Sequence, residues 1–416
     1  MKISKEAIVQ YFLIYILLFA SGAAWYTVSQ NAVYIVLGIA IITPLFMGKM
    51  VINKRFIFFL IIFTTSIIVC RLINNGGIGL NYVVDFGTKA LIAYAAYCIN
   101  KEKAPRRFLN IITALAVFSL IGFAISQVQP NILTGMMSQY STGNVRLGYD
   151  NVYYGKFLYT YQNAERNCGI YTEPALYQMI LTSGLFVLLY APHITGFSEK
   201  KTLSRIIILT ITMISTLSAT AYISYLILSA PIFLKKSREF GRIKRYISYI
   251  LGIAIAILIL DFSMNGEKSI LSVYLIGKMS DMGTSKGNNL QSGDARIAVA
   301  EMALYSIIRH PLGIGASGYV NMSLAWNYTN AAGNGLFYYL MVLGIIGWSI
   351  AILYIMIPAY RNRKNRGTFY IFVLIYIIAT VSQSYIFSPV FLFVSLLDLN
   401  SRSDNRDSHM RLQENE

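Results

Sequence analysis

The chain has 416 residues, 56% of them hydrophobic and 14% aromatic but only 13% charged, with a positive mean hydropathy. That composition excludes an ordinary soluble domain and points to a polytopic membrane protein. The formal net charge of +17 would suit nucleic acid, but here the excess follows the loops of a membrane topology and faces anionic headgroups, so no nucleic-acid partner is expected.

A helix needs about 20 mostly apolar residues to cross the hydrocarbon core. Apolar runs near that length lie at 7–25, 32–47, 56–73, 80–99, 108–127, 174–193, 205–219, 221–234, 246–262, 335–357, 368–386 and 389–399. They predict an all-α fold, a polytopic integral membrane protein with about 12 transmembrane helices and two long outer-face loops, the second containing a short amphipathic helix. The stretches 205–234 and 368–399 are each interrupted, by Ser218 to Thr220 and by Ser382 to Ser384 with Pro389. Each is read as two short helices joined by a tight outer turn. The organisation is then 1–127 N-terminal helices, 128–173 first outer loop, 174–262 central helices, 263–334 second outer loop, 335–399 C-terminal helices and 400–416 a cytoplasmic tail.

Cytoplasmic loops collect Lys and Arg. With the N-terminus inside, the inner loops take Lys2 and Lys5, Lys49 to Arg55, Lys101 to Arg107, Lys200 to Arg205, Lys235 to Arg245, Arg361 to Arg366 and the arginines of the tail, most of the chain's 35 basic residues. The C-terminus is cytoplasmic by the same threading. The first span continues into further spans with no small-residue cleavage site, so it is expected to be a retained helix.

In the fourth span Asp85 and Lys89 stand one helical turn apart, where an ion pair would neutralise both charges at membrane depth. Such a pair is the best support for an ion-coupled transporter. No repeat, nucleotide-binding loop or His/Cys metal spacing appears, so no cofactor and no metal is expected. Cys70, Cys98 and Cys168 imply no disulfide framework.

The first outer loop carries Tyr140, Tyr149, Tyr153, Tyr154, Tyr159, Tyr161 and Tyr171 among small polar residues. A tyrosine offers a flat apolar face and a hydroxyl, which suits stacking on a sugar ring as well as a membrane interface. The loop ends in RNCGIYTEPALYQ, 166 to 178, which sets Arg166 and Glu173 where the chain re-enters an apolar run at Pro174. Glu173 could orient Arg166, cap the helix that Pro174 begins, or act as a general base, and the orienting role ranks first.

The second outer loop contains GDARIAVAEMALYSIIRHPLGIGASGY, 293 to 319. Ile297, Ala300, Leu304 and Ile308 recur at helical spacing, Asp294 stands at the start and Pro311 stops the run, which predicts a short amphipathic helix lying on the outer membrane face. On that helix Arg309 would stand about 20 Å from Arg296, so the two could not hold one phosphate together. Arg309 offsets the helix dipole in the last turn, and His310 belongs to the helix-ending turn. His193 and His409 fall on the cytoplasmic side.

These motifs together resemble the O-antigen polymerase (Wzy) and O-antigen ligase superfamily of bacterial glycan assembly. The resemblance rests on Arg166, Gly169, Glu173 and Pro174, on the break TLSAT from Thr216 to Thr220, on Arg296 followed by HPLGIG from His310 to Gly315, and on GNGLFYYLMVLGIIG from Gly333 to Gly347. It implies a polymerase in the bacterial inner membrane that joins undecaprenyl-diphosphate-linked repeat units of O-antigen or capsule on its outer face, the lipid diphosphate being the leaving group. Donor and acceptor glycan lipids are the implied substrates, a chain-length regulator and a flippase the implied partners.

Arg166 and Arg296 match the family's motif arginines. A guanidinium is permanently charged and forks onto phosphate oxygens, so both are expected to bind the diphosphate, with Glu173 beside them in the catalytic set. Asn334, Arg309, His310 and Tyr171 complete the expected substrate-binding set. Ligases of the superfamily usually place a His directly before the Asn that opens the late helix. Gly333 stands there in this chain, which argues against a ligase. A lipid-linked oligosaccharide flippase and a membrane receptor or scaffold are the competing classes.

Overall fold

The computed structural model describes residues 4–28, 31–49, 54–73, 81–129, 131–132, 138–140, 152–154, 160–161, 166–234, 248, 262–266, 292–328, 334–383 and 386–400. Nearly all of the expected span 246–262, most of the second outer loop before 292 and the tail after residue 400 lie outside them, as do the side chains of all the first loop's tyrosines except Tyr171.

The chain opens with α1 (Lys5–Ala20), whose N-cap Ser4 accepts from the Ala7 amide at 3.2 Å. The expected span 7–25 is shorter than its hydropathy. Ser21 and Gly22 end the helix, Gly22 at φ +116°, and a short α2 (Ala24–Val28) follows. Next come α3 (Ala32–Phe46), α4 (Lys54–Ile73), α5 (Asn81–Cys98) and α6 (Ala104–Val128), the last with Pro105 in its first turn.

Within the first outer loop β1 (Ser138–Tyr140), β2 (Val152–Tyr154) and β3 (Thr160–Tyr161) form an antiparallel ribbon in sequence order, with Ser138 opposite Tyr154 and Tyr153 opposite Tyr161. The all-α expectation did not include it. Tyrosine and valine favour strands, but residues this few leave only a weak signal.

The central helices are α7 (Pro174–Tyr190), α8 (Glu199–Ser215) and α9 (Ala219–Leu234). Then α10 (Ser292–Arg309), α11 (Gly315–Ala325), α12 (Gly335–Arg361), α13 (Arg366–Ser382) and α14 (Pro389–Leu396) complete the described fold. Both interrupted stretches are two helices each, as expected: α8 and α9 meet at Thr216–Ser218, and α13 and α14 across 383–388. The late span is not one rod, because Gly344 adopts φ +69° and ψ −179° inside α12 and breaks it into two limbs.

Leu176 to Leu189 of α7 and every residue of α14 are buried, so these short apolar helices form the middle of the bundle. Around them α1 and α3 pack on α5, α12 packs on α4 and α14, and α8 and α9 pack on α7. The outer surface is apolar as well: Ile57, Phe58, Ile61 and Ile68 of α4 and Phe118 and Ile121 of α6 are exposed. Helices apolar all round suit a hydrocarbon surround. Three of them, Phe56–Ile73, Ala104–Val128 and Gly335–Arg361, are long and apolar enough to cross a membrane, while Ala32–Phe46, Pro174–Tyr190, Ala219–Ile232 and Arg366–Ser382 are apolar but shorter.

The expected amphipathic helix exists as α10, but its apolar stripe faces outward. Ile297, Leu304 and Ile308 are exposed, whereas Ala298, Val299, Met302 and Ala303 are buried in a second small core with Ile314 and Met341. Two apolar faces on one helix explain why spacing alone did not show which one the protein covers.

Candidate functional site

The turn at 166–173 is built around Asn167. Its amide donates to the Ser215 carbonyl at 3.0 Å, its side-chain Nδ2 donates to Ser119 Oγ at 3.2 Å and Ser215 Oγ at 3.0 Å, and its Oδ1 accepts from the Gly169 amide at 3.0 Å. Gly169 then turns at φ +58°, and a Cβ there would lie 2.9 Å from the Tyr177 ring. Only glycine fits both the backbone and that ring. Tyr177 shares a 2.8 Å hydrogen bond with Ser119 and stacks on Tyr171 with centroids 5.5 Å apart.

Tyr171 is fully buried and its hydroxyl donates to the Leu18 carbonyl at 3.2 Å, while the Ala24 amide donates to the Ile170 carbonyl at 2.9 Å. This expected sugar-stacking residue is therefore part of the packing that fastens the turn to the end of α1. Burial pushes the neighbouring Cys168 thiol up to about 12, which makes it inert.

Arg166 turns toward the break between α8 and α9. Its Nε donates to the Thr216 carbonyl at 3.2 Å and an Nη to the Leu217 carbonyl at 3.1 Å, and Leu217 itself has a left-handed φ of +46°. The last carbonyls of a helix lack intrahelical donors, and the guanidinium supplies them.

The expected Arg166–Glu173 pair is not made. With both partners described, the one ion pair joins Lys89 Nζ to Asp85 Oδ2 at 2.7 Å, the neutralised pair expected in the fourth span. The Glu173 carbonyl accepts from the Leu176 and Tyr177 amides as an N-cap carbonyl does, but its side chain makes no capping bond. Instead Glu173 Oε2 accepts from Gln383 Nε2 at 3.2 Å.

Gln383 gathers the rest of the site. Its carbonyl accepts from the Gly335 amide at 2.8 Å, and the preceding Ser382 carbonyl accepts from an Arg296 Nη at 3.2 Å. Asn334 caps α12 by accepting from the Phe337 amide at 3.3 Å and donates its Nδ2 to the Arg296 carbonyl at 3.1 Å. Burial lowers the Arg296 pKa from its ordinary value, and the Glu173 carboxylate opposes that shift. The guanidinium still remains charged.

Glu173, Arg296 and Asn334 are thus brought together from three distant motifs. Arg309 and His310 are not, since α10 is continuous and separates them from Arg296 by about 20 Å. Arg309 stacks over the Tyr305 ring at 3.7 Å, and His310 is exposed at the turn. Sequence reasoning missed Gln383 and Asn167. Gln383 did leave one signal, an amide in the polar interruption of an apolar run, and buried polar groups in such surroundings are costly unless paired.

Among the described residues no three His, Cys, Asp or Glu side chains converge as a metal site would require. The arrangement offers a cation for an anionic group, a carboxylate able to accept a proton, and amides that hold both. No family model matches the chain, and no curated protein matches it.

Proposed function

We propose that the protein is a polysaccharide polymerase, a glycosyltransferase of the bacterial inner membrane with about 12 spans and both termini cytoplasmic. It would join undecaprenyl-diphosphate-linked repeat units of O-antigen or capsule on the outer face. The observation that carries this reading is the convergence of the half-buried Glu173 and Arg296 with the buried Asn334, from motifs far apart in sequence, into one polar cluster in an otherwise apolar bundle.

The chemistry follows from the residues. Arg296 holds the donor diphosphate and offsets the charge that grows on it as the glycosidic bond breaks. Asn334 fixes the backbone that carries Arg296. Arg166 stands at the neighbouring helix break, with two N–H groups on the Thr216 and Leu217 carbonyls. Glu173 and Arg296 are both held by the dipeptide Ser382-Gln383, so cation and carboxylate act at one place.

The test is the surface glycan of cells lacking this gene, complemented with wild type or Arg296→Ala at matched membrane abundance. The expected result is a ladder with wild type, and with Arg296→Ala about 100-fold less polymer over a persisting single capped unit, the scale of losing one transition-state donor. Loss of the single unit as well in the deleted strain would favour the flippase or ligase reading instead.

A further inference from the structure

We infer that Gln383 is the positioning residue for the Glu173 carboxylate, and that Glu173 is the base taking the acceptor's hydroxyl proton. The inference rests on the polymerase reading and names the group that the sequence left unassigned. Of the roles open to Glu173, the geometry removes two. Arg166 is engaged with the Thr216 and Leu217 carbonyls, and the Glu173 side chain makes no capping bond to α7. Among the described residues the carboxylate has one hydrogen bond, from an amide 210 residues away.

That amide is well suited to the task. Gln383 is 4% exposed, so its side chain is fixed by packing. An amide N–H orients a carboxylate through one oxygen without adding a charge, whereas a guanidinium fork would occupy both oxygens. The second oxygen of Glu173 makes no hydrogen bond to any described residue. The same dipeptide also receives an Arg296 Nη on the Ser382 carbonyl and the first amide of α12 on the Gln383 carbonyl. Ser382-Gln383 therefore sets the carboxylate and the guanidinium in register with each other, and it can do so because Gln383 leaves α13 in an extended conformation.

The reaction balances without a co-reactant. The acceptor hydroxyl oxygen bonds to the donor's anomeric carbon as the bond from that carbon to the diphosphate oxygen breaks. The bonding pair leaves on the diphosphate beside Arg296. The hydroxyl proton passes to Glu173 and then to water.

The test uses full-length protein in detergent, with lipid-linked repeat units extracted from the gene-deleted strain as the probe. Variants are Glu173→Gln, Gln383→Leu and the exchange Glu173→Gln with Gln383→Glu, which keeps an amide-to-carboxylate bond but moves the carboxylate to the other side. Glu173→Gln should lower kcat at least about 100-fold, the scale of general base catalysis. Gln383→Leu should lower kcat about tenfold with KM within about twofold, since misplacement of a base slows chemistry more than binding. The exchange should accumulate like wild type and stay as slow as Glu173→Gln. Wild-type kcat in Gln383→Leu, or in the exchange, overturns the inference. If Gln383→Leu fails to fold, the exchange alone decides. Wild type unable to extend the extracted units would sink the polymerase reading itself, an outcome distinct from an active wild type with an equally active Glu173→Gln.

Discussion

Arg166 illustrates how a residue type can be legible while its partner is not. An arginine at the mouth of an apolar run invites a phosphate, and the adjacent acid invites an ion pair. In the fold the guanidinium closes the C-terminal end of α8 across the break, and the acid belongs to a different helix junction. Removing the side chain leaves the Thr216 and Leu217 carbonyls without these donors, so Arg166→Ala should cost about 1–3 kcal/mol of stability. Thermal unfolding of the detergent-solubilised protein measures it, and Arg166→Lys should recover only part, because an ammonium lacks the planar fork. An unchanged midpoint for Arg166→Ala would show that these two bonds contribute nothing.

At the scale of elements, the break in α12 is the feature hydropathy could not see. Glycine is ordinary in membrane helices, so VLGIIG reads as a continuous span. In the structure the turn after α10 fits into the break. The Ile345 amide donates to the Pro311 carbonyl and the Ile314 amide to the Met341 carbonyl, both at 2.9 Å, so backbone groups at the break find partners in the turn. Gly313 (φ +90°) and Gly344 (φ +69°) meet backbone to backbone, and a Cβ on Gly344 would stand 2.3 Å from the Leu312 carbonyl carbon. That contact also anchors α10, and hence Arg296, to α12. Gly344→Ala should therefore cost at least about 3 kcal/mol, combining a left-handed backbone with a clash against backbone that cannot rotate away. Membrane abundance and heat stability of the variant check this, and wild-type values would show that α12 can straighten.

Across the whole molecule, both the interior and the outer surface are apolar, and the basic residues gather in the loops expected on one side. That distribution makes a topology prediction. Reporter fusions at positions 103, 200, 364 and 416 should report the cytoplasm, and fusions at 145 and 280 the outer face. A cytoplasmic signal at 145 or 280 would invert the threading and move Glu173 and Arg296 to the wrong side for a lipid-linked donor.

Sequence by itself determined where most of the helices lie, that both interrupted stretches fold as two pieces, and that Asp85 would pair with Lys89. These are local properties, set by hydropathy over one window, by breakers within it, or by the spacing of a single helical turn. Only the tertiary structure decided that Glu173 answers to Gln383, that Arg166 serves a helix end, that Tyr171 is packing, and that α12 is broken by a turn from another segment. Each of those depends on which distant groups packing brings within hydrogen-bond reach. Hydrogen bonds act over about 3 Å, so no pattern along the chain encodes them.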